Sequence, residues 1–509
     1  MTHTERSGGH LAPRPEQPQA STSHAIVTGS PRRRYRRVLS VGGTAILTVG
    51  TFGAILVAGA VITNRGFHEA VPTSQSHSLR DTNVAAEPAS ADVAVRHGRQ
   101  VVVAFVAGTS GTVASDLLAP YDIFASSPAF HPYVVAAHAG PVTLEGGPAL
   151  VPTHTFADVD SAPALSPDLV VVPALSKPTD PTESALRAWV TKQHDDGARV
   201  LGVCAGSVVL AETGMLDGLH ATSHWSRISA LRNSRPAVHW ATGRRWVEDG
   251  SVTTTAAVSS GVPAALHLVA ELATPAEAQR LADQHPELGW SPHQTTVIAE
   301  DHFAAHDWPV GLNFVEPWFR PTVGVALHDR VGELDATAAF EVYTQSAAAR
   351  TVALATEDRV RTRHGLMLLT TSTREAPSLS RIVVPGVGGV DPRLQRWADI
   401  RHLDVEPLSA DWGQDDGRAS GGGFAAALQN LTDHTGAATA SATAKMIGYP
   451  TTAVDLRRRH TPVRTVLLAV ASLVLAVLVG LAPAAITRRR RRLAPGSVTP
   501  VRAPVSASR

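Results

Sequence analysis

Long and short apolar runs divide the chain into its predicted elements. Two long runs, 38–62 and 465–486, contain no charged residue. Each is about as long as the roughly 20 residues that cross a bilayer as a helix. Between them, short apolar runs alternate with segments of helical spacing. The pattern predicts transmembrane helices over 38–62 and 465–486, with a globular region between them.

Strands and helices alternate from Gln100 onward. Apolar runs typical of buried strands occupy 101–106, 133–137, 168–173 and 198–203, and helical spacing marks 115–125, 182–194 and 207–213. Residues 244–254 indicate two strands joined by an Asp-Gly turn, and helices are expected over 262–272 and 275–284. This order predicts an α/β domain over 99–287 with a doubly wound, mostly parallel sheet. Ligands of such sheets bind beyond the carboxyl ends of the strands.

A weaker copy of the same pattern follows a connector, 288–319. Segments 323–327, 340–343, 381–385 and 420–428 parallel 101–106, 121–124, 169–173 and 259–266, and Asp335 parallels Asp116. We expect an internal duplication with a degenerate second copy over 320–450. Between Val390 and Ser420 this copy is too short for a strand, helix and hairpin like those at 198–254, and it contains no cysteine. It is therefore not expected to perform the same chemistry.

Charged residues are informative mainly beside the two long apolar runs, where they indicate the membrane topology. The net charge of the 509 residues is +1, which argues against a nucleic-acid-binding face. Arginines at 32–34, 36 and 37 precede the first run, and 488–492 follow the second. Because arginine clusters tend to remain cytoplasmic, the tails 1–37 and 487–509 are expected inside and the main domains outside, although 457–459 oppose this. The lipid bilayer is thus an expected partner, with 63–98 as a linker.

A cleavable signal is the alternative for the first run. Ala58-Gly59-Ala60 has the small residues of a cleavage site. The long basic leader and the long apolar run favour an uncleaved anchor.

The single cysteine lies in Gly202-Val203-Cys204-Ala205-Gly206, between a predicted strand and a predicted helix. A nucleophile elbow requires this arrangement, because a sharp turn exposes the nucleophile and glycines let the backbone crowd. The helix N-terminus is expected to favour a thiolate. No intramolecular disulfide can form, so the thiol is either protected or reactive.

Several motifs occur along the chain in the same order as in one protein family. They are Val172-Pro173, the elbow, 210–218, Ala221-Thr222-Ser223-His224-Trp225 and the hairpin at 246–254. Together they resemble the DJ-1/PfpI family, and more narrowly the class I glutamine amidotransferase-like domain of AraC-type regulators. The resemblance covers nearly all of 100–287 and implies a flavodoxin-like sheet. The DNA-binding helices of those regulators are absent, so no nucleic-acid partner is expected.

The resemblance implies a site. Cys204 matches the elbow nucleophile, His224 a base beside it and Asp116 the acid after the first strand. The backbone N–H groups of Ala205 and Ala174 would donate to an oxyanion. The loop after the third strand reads Pro173-Ala174-Leu175, where the family often has glycines.

Two functions follow from these residues, neither with a cofactor or metal. One is a cysteine-dependent hydrolase or hydratase that attacks a small electrophilic carbon, with His224 and Asp116 handling protons. The other is a non-catalytic sensor of a small molecule or of oxidants. Relatives often pair through a sheet edge, so a homodimer or an intramolecular pseudo-dimer of the two copies is expected.

Other polar motifs are given structural interpretations. His285-Pro286-Glu287 superficially resembles the His-x-Glu pair of glutamine amidotransferases and is interpreted as a helix-ending turn. Asp301-His302 and His306-Asp307 form no recognised metal spacing, and we interpret them as surface residues. The sequence has no phosphate loop, dinucleotide fingerprint or zinc-cysteine pattern.

Overall fold

The computed structural model describes residues 31–68, 99–285, 290–386, 389–408, 423–450 and 463–493. These residues form two compact bodies. One holds the described parts of Met1–Thr51 and Leu475–Arg509, and the other is Phe52–Val474. Most of the predicted tails and linker lies outside the described residues.

The two long apolar runs are helices, α1 (Pro31–His68) and α14 (Val463–Leu493). By length and composition, their stretches Thr44–Thr63 and Val466–Pro483 could each cross a membrane. Most of their apolar side chains are exposed. Within the first body the helices touch, since a methyl group at Gly480 would overlap the hydroxyl of Thr48. Small residues permit such close helix contacts.

A seven-stranded sheet forms the first α/β unit, residues 99–285. Its order is β11-β12-β8-β7-β1-β3-β6, and only β11 and β12 are antiparallel neighbours. The strands of this unit, which include a separate β9–β10 pair, are β1 (Val101–Ala107), β2 (Thr112–Val113), β3 (Phe130–Ala136), β4 (Val142–Glu145), β5 (Ala149–Val151), β6 (His154–Thr155), β7 (Leu169–Val172), β8 (Arg199–Gly202), β9 (His220–Ala221), β10 (His239–Trp240), β11 (Trp246–Asp249) and β12 (Val252–Thr255). The mostly parallel α/β sheet predicted from the sequence is confirmed.

Helices cover both faces of this sheet. Along β1, Val103 and Phe105 enter one apolar core, while Val102, Ala104 and Val106 enter the other. This burial on both faces explains the continuous apolar run. The helices are α2 (Ala114–Ala125), α3 (Phe156–Ser161), α4 (Ser184–Asp195), α5 (Gly206–Thr213), α6 (Trp225–Ser234), α7 (Val258–Leu272) and α8 (Pro275–Asp283).

Helix α7 begins four residues before its predicted start at Val262. The helix thus includes Gly261 and Pro263, two residues that disfavour a helix interior. Gly261 instead serves packing, since a Cβ there would lie 2.8 Å from Cγ1 of Val203. Tertiary packing therefore overrides propensity at this helix.

A second sheet follows the connector. Its order is β17-β14-β13-β18-β19, with parallel neighbours throughout. Its unit, including the connector helix, contains α9 (Trp308–Val315), β13 (Thr322–Ala326), α10 (Glu333–Ser346), β14 (Arg350–Ala355), β15 (Arg359–Arg361), β16 (Met367–Leu369), β17 (Thr371–Ser372), β18 (Arg381–Val384), α11 (Pro392–Ile400), β19 (Val405–Pro407), α12 (Gly423–Thr435) and α13 (Ala437–Met446). Short 3-10 turns occur at Pro163–Leu165, Pro181–Glu183 and Ala305–Asp307.

The sequence predicts that 390–420 is too short for a strand, helix and hairpin like those at 198–254, and its described part, 390–408, holds one helix and one strand. Strand β19 pairs in parallel with β18, after the short helix α11. The nine-residue helix and the three-residue strand occupy 392–407. Residues 409–422 lie outside the described residues.

The two α/β units are joined by a third sheet. Its order is β15-β16-β5-β4-β2, and β16 of the second unit runs antiparallel to β5 of the first. Helices α2 and α10 also pack together, because Asp122 of α2 accepts a hydrogen bond from Leu334 N at 2.9 Å. The two units therefore belong to a single body.

Candidate functional site

Cys204 occupies the turn between β8 and α5. Its φ is +54°, a left-handed conformation that few non-glycine residues adopt. Its N–H donates to Thr255 Oγ1 at 2.9 Å, and Gly206 N donates to Val203 O at 2.7 Å. A side chain at Gly206 would overlap the carbonyl of Val172. The turn thus has the strain and the glycine that a nucleophile elbow requires.

Asp116 lies in the first turn of α2 and is fully buried. Its Oδ2 accepts a hydrogen bond from Ala174 N at 3.0 Å. Its Oδ1 has no hydrogen-bond partner among the described residues. Burial, followed by the charge of Glu341, holds the pKa of Asp116 well above its usual range. Burial therefore favours the protonated form of Asp116, and one of its oxygen atoms has no partner among the described residues.

Ala174 and Ala205, the two predicted oxyanion donors, have different surroundings. The N–H of Ala174 is already used by Asp116. The N–H of Ala205 donates to the sulfur of Cys204 and lowers the pKa of the thiol. An oxyanion would therefore have to compete with Asp116 for Ala174.

The thiol of Cys204 is buried, with 6% of the residue exposed. Burial raises the pKa of this thiol well above the ordinary value, ionisation of Asp116 would raise it further, and the Ala205 hydrogen bond opposes burial only in part. The expected thiolate at the helix N-terminus is therefore wrong for this structure. Desolvation of the charged sulfur outweighs the helix terminus.

The ring nitrogens of His224 form hydrogen bonds with residues other than Cys204. Its Nε2 lies 2.7 Å from Met446 O, and its Nδ1 lies 2.8 Å from Ser226 Oγ. A carbonyl oxygen can only accept, so Nε2 carries the proton and Nδ1 accepts from Ser226. Burial lowers the pKa of the ring, which is neutral. Both nitrogens of the predicted base are thus engaged by residues other than Cys204.

Two carboxylates that act electrostatically on Asp116 were not identified from the sequence. Glu341 of α10 is buried and accepts from Ser115 Oγ at 2.6 Å and from Gln345 Nε2 at 2.9 Å. Glu145 of β4 accepts from Ser176 Oγ and raises the pKa of Asp116. The sequence signal for Glu341 is that this acidic residue interrupts an apolar run around Phe340, where a buried position is expected.

A cleft of about 480 Å³ adjoins the elbow. Its walls combine apolar and cationic side chains, namely Leu175, Ala205, Val208, Lys177 and Arg227. The positive charge of Arg227 slightly lowers the pKa of Cys204. The cleft gives a small molecule a route to the residue next to the thiol.

One buried cluster has the residue types of a metal site. His364 Nδ1 lies 2.8 Å from Glu333 and 3.4 Å from Asp122. Thr362 Oγ1 and His364 N also donate to Glu333, and Leu334 N donates to Asp122. Because protein donors already occupy these carboxylates, we interpret the cluster as an ion pair between the units.

The remaining polar motifs are partly buried. His285 is buried, while 286–287 lie outside the described residues. Asp307, expected at the surface, is 6% exposed and binds Lys445 Nζ at 2.6 Å. Asp307 is buried because α13 packs on the connector, a contact that the local sequence does not reveal.

Comparison with known proteins matches residues 101–271 to the DJ-1/PfpI family. The HTH-type transcriptional regulator CdhR of Pseudomonas aeruginosa is 33% identical over 145 residues, 28% of this chain and 43% of the relative. Isonitrile hydratase of Pseudomonas putida is 35% identical over 160 residues, 31% of this chain and 66% of the relative. The chain thus spans less than two thirds of either protein.

A third relative is matched almost in full. The uncharacterized protein in the cpoL 5' region of Streptomyces lividans is 33% identical over 144 residues, 27% of this chain and 96% of the relative. Among solved structures, a ThiJ/PfpI family protein from Pseudomonas syringae is 28% identical, covering 37% of this chain and 75% of that one with a TM-score of 0.33.

Proposed function

Because the chain belongs to the DJ-1/PfpI family through residues 101–271, we propose that its first α/β unit adds water to a small uncharged electrophile. Cys204 is the nucleophile and Asp116 the acid. The observation that supports this proposal most directly is the buried Asp116, whose pKa is raised by burial and whose Oδ1 has no partner among the described residues. A neutral acid beside a neutral thiol suits a substrate that must be protonated as it is attacked.

An isonitrile is the substrate class we propose, since one relative is named isonitrile hydratase. Asp116 gives its proton to the terminal carbon while the sulfur of Cys204 bonds to that carbon, and the thiol proton passes to the Asp116 carboxylate. Water then adds across the carbon–nitrogen double bond of this thioimidate, with its hydroxyl going to the carbon and its proton to the nitrogen. The carbon–sulfur bond breaks as the hydroxyl proton passes to the sulfur, and an N-substituted formamide leaves.

The test is formamide production from a small alkyl isonitrile by the full-length protein. We expect turnover that is lost in Cys204→Ser and reduced at least about a hundredfold in Asp116→Asn, the usual scale of acid–base catalysis. Asp195→Asn, at the exposed end of α4, is the control. Formamide made equally fast by Cys204→Ser would contradict the proposal.

A non-catalytic sensor is the second candidate, and the occupied imidazole of His224 favours it. The last turn of α13 covers this part of the site and would report a bound ligand to the second unit. Ligand-dependent protection of Cys204 from alkylation, without turnover, would favour sensing over hydration. Direct DNA binding forms no part of this proposal.

We propose that α1 and α14 anchor the protein in a membrane, with both termini cytoplasmic and the α/β units outside. The uncharged stretches Thr44–Thr63 and Val466–Pro483 and their exposed apolar side chains support this topology. A reporter fused after Arg509 should be cytoplasmic, and its appearance outside would overturn the orientation. N-terminal sequencing of the mature protein would detect cleavage near Ala60.

We also propose that the second unit is a degenerate copy of the first, packed on it as an intramolecular pseudo-dimer. Support comes from strand order, since β17-β14-β13-β18-β19 repeats the arrangement of β6-β3-β1-β7-β8. The β16–β5 pairing supplies the contact between the copies. Size measurement of the detergent-solubilised protein tests whether it forms a monomer, as an internal pseudo-dimer predicts, or a homodimer.

A further inference from the structure

The second α/β unit inserts a carboxyl group into the surroundings of Cys204. Glu341 projects from the middle of α10, is 2% exposed, and accepts a hydrogen bond from Ser115 at 2.6 Å. Ser115 immediately precedes Asp116 in the first turn of α2. Glu341 also interacts electrostatically with both Asp116 and Cys204. A group more than 200 positions from the first-unit acid in sequence thus belongs to the same buried cluster.

The contact is one half of a reciprocal pair. Glu341 of α10 reaches the first turn of α2 through Ser115, and Asp122 of α2 reaches the first turn of α10 through Leu334 N. On each helix the two contacts lie about two turns apart, so the helices are antiparallel. A carboxylate near a helix N-terminus is favourable, which accounts for both contacts structurally. Of these two carboxylates, only Glu341 acts electrostatically on the thiol of Cys204.

Besides its hydrogen bond to Ser115, Glu341 affects the site through its charge. The described groups that act on the cluster are Asp116 of α2, Glu145 of β4 and Arg227 of α6. Glu341 has two hydrogen-bond donors, Ser115 and Gln345, but no cation in contact with it among the described residues. Burial raises its pKa to about 7, so it gains its negative charge near neutral pH. That charge opposes ionisation of both Asp116 and Cys204.

We propose that Glu341 is a positioning residue of the Cys204 site, supplied by the second unit. It holds the first turn of α2 through Ser115, and its negative charge disfavours the charged forms of Asp116 and Cys204. The inference rests on the proposed function, because it concerns the acid and nucleophile of that site. It also gives the second unit a role in the chemistry, although that unit contains no cysteine.

The test is the pH dependence of iodoacetamide alkylation in the full-length protein. Cys204 is the only cysteine, so the reaction reports on this thiol alone. Glu341→Gln keeps a hydrogen-bond acceptor for Ser115 and removes the charge. We expect alkylation at pH 8 to be at least about threefold faster, equivalent to half a pKa unit. Asp122→Asn, at the reciprocal position, should leave the rate unchanged.

An alkylation profile of Glu341→Gln identical to that of the original protein would overturn the inference. If this variant does not fold, Ser115→Ala replaces it. Loss of the Ser115 hydrogen bond raises the pKa of Glu341, so less of it is charged at pH 8 and alkylation should again be faster. An unchanged rate would overturn the inference in that case.

The outcome is independent of turnover. Faster alkylation of Glu341→Gln without any formamide production would support the role of Glu341 and reject the proposed reaction. Formamide production together with an unchanged alkylation profile would support the proposed reaction and overturn the role of Glu341.

Discussion

His224 donates a hydrogen bond from Nε2 to the main-chain oxygen of Met446 across 2.7 Å. The bond belongs to a set that docks the last turn of α13 on the first unit. Trp225 Nε1 binds Lys445 O, and Ser259 binds the carbonyls of Ile447 and Gly448. The last carbonyls of a helix lack partners within it, and these donors supply them. The imidazole therefore serves as part of a helix cap in this structure.

Releasing this turn should make Cys204 more reactive. Gly448 has a φ of +67°, and a Cβ there would overlap the side chain of Ala257. We expect Gly448→Val to undock the turn and to speed both amide exchange over 445–449 and alkylation of Cys204. Gly365→Val is the control, because Gly365 also has a positive φ but open space around it. Equal alkylation rates in the two variants would contradict the docking role.

Asp116→Asn should stabilise the protein at neutral pH. The folded state holds a proton on Asp116 that the unfolded chain releases above its ordinary pKa, so ionisation in the unfolded state costs stability as the pH rises. The gain from Asp116→Asn should be small near pH 4 and grow by about 1.4 kcal/mol for each pH unit up to the folded pKa. Thermal unfolding at pH 4.5 and 7.5 measures it. Asp195→Asn, at an exposed carboxylate, is the control variant.

The sequence predicted the scaffold of this site better than its electrostatics. Periodicity gave β1, α2 and the β11–β12 hairpin because each is determined by local patterning. The elbow at Cys204 was recognisable from its glycines, and the surroundings of Asp116 from the family resemblance. The partners of His224 and Ser115 were not predictable, since Met446 and Glu341 lie over 200 residues away and depend on how the two units pack. The neutral thiol was missed because a motif shows a helix terminus but not its burial.

The ion pair between the units should also make stability fall as the pH rises, because it too holds a proton in the folded state. Burial disfavours the charge on His364, but the hydrogen bond and charge of Glu333, with the charge of Asp122, outweigh it and raise the pKa of His364. The resulting stability is fully present below the ordinary pKa of histidine and is lost as the pH rises through the raised value. We expect His364→Gln to lose more stability at pH 6 than at pH 9, measured by denaturant unfolding.

His293→Gln serves as the matched control for that measurement, since His293 is exposed in the connector. A loss of stability in His364→Gln that is the same at both pH values would show that the pair is not charged.

Gly206→Ala should be among the most damaging small substitutions in the elbow. The added methyl group would overlap the carbonyl of Val172, and neither backbone segment can move without disturbing β7 or α5. We expect a loss of roughly 1–3 kcal/mol or more, the scale of overpacked cores. Gly311→Ala in α9 has open space and should be neutral or slightly stabilising. Unfolding midpoints compare the two, and equal values would contradict the crowding.

The pairing of β5 with β16 determines where the protein can be cut. Without the second unit, the main-chain donors and acceptors of Ala149, Leu150 and Val151 would lie along an open strand edge. Unpaired apolar edges invite pairing with other chains. A fragment trimmed to the family match at 271 should therefore self-associate, even though its own seven-stranded sheet is complete. The smallest piece that stays soluble and monomeric extends through the partner strand, so the limits of homology and of autonomous folding differ in this chain.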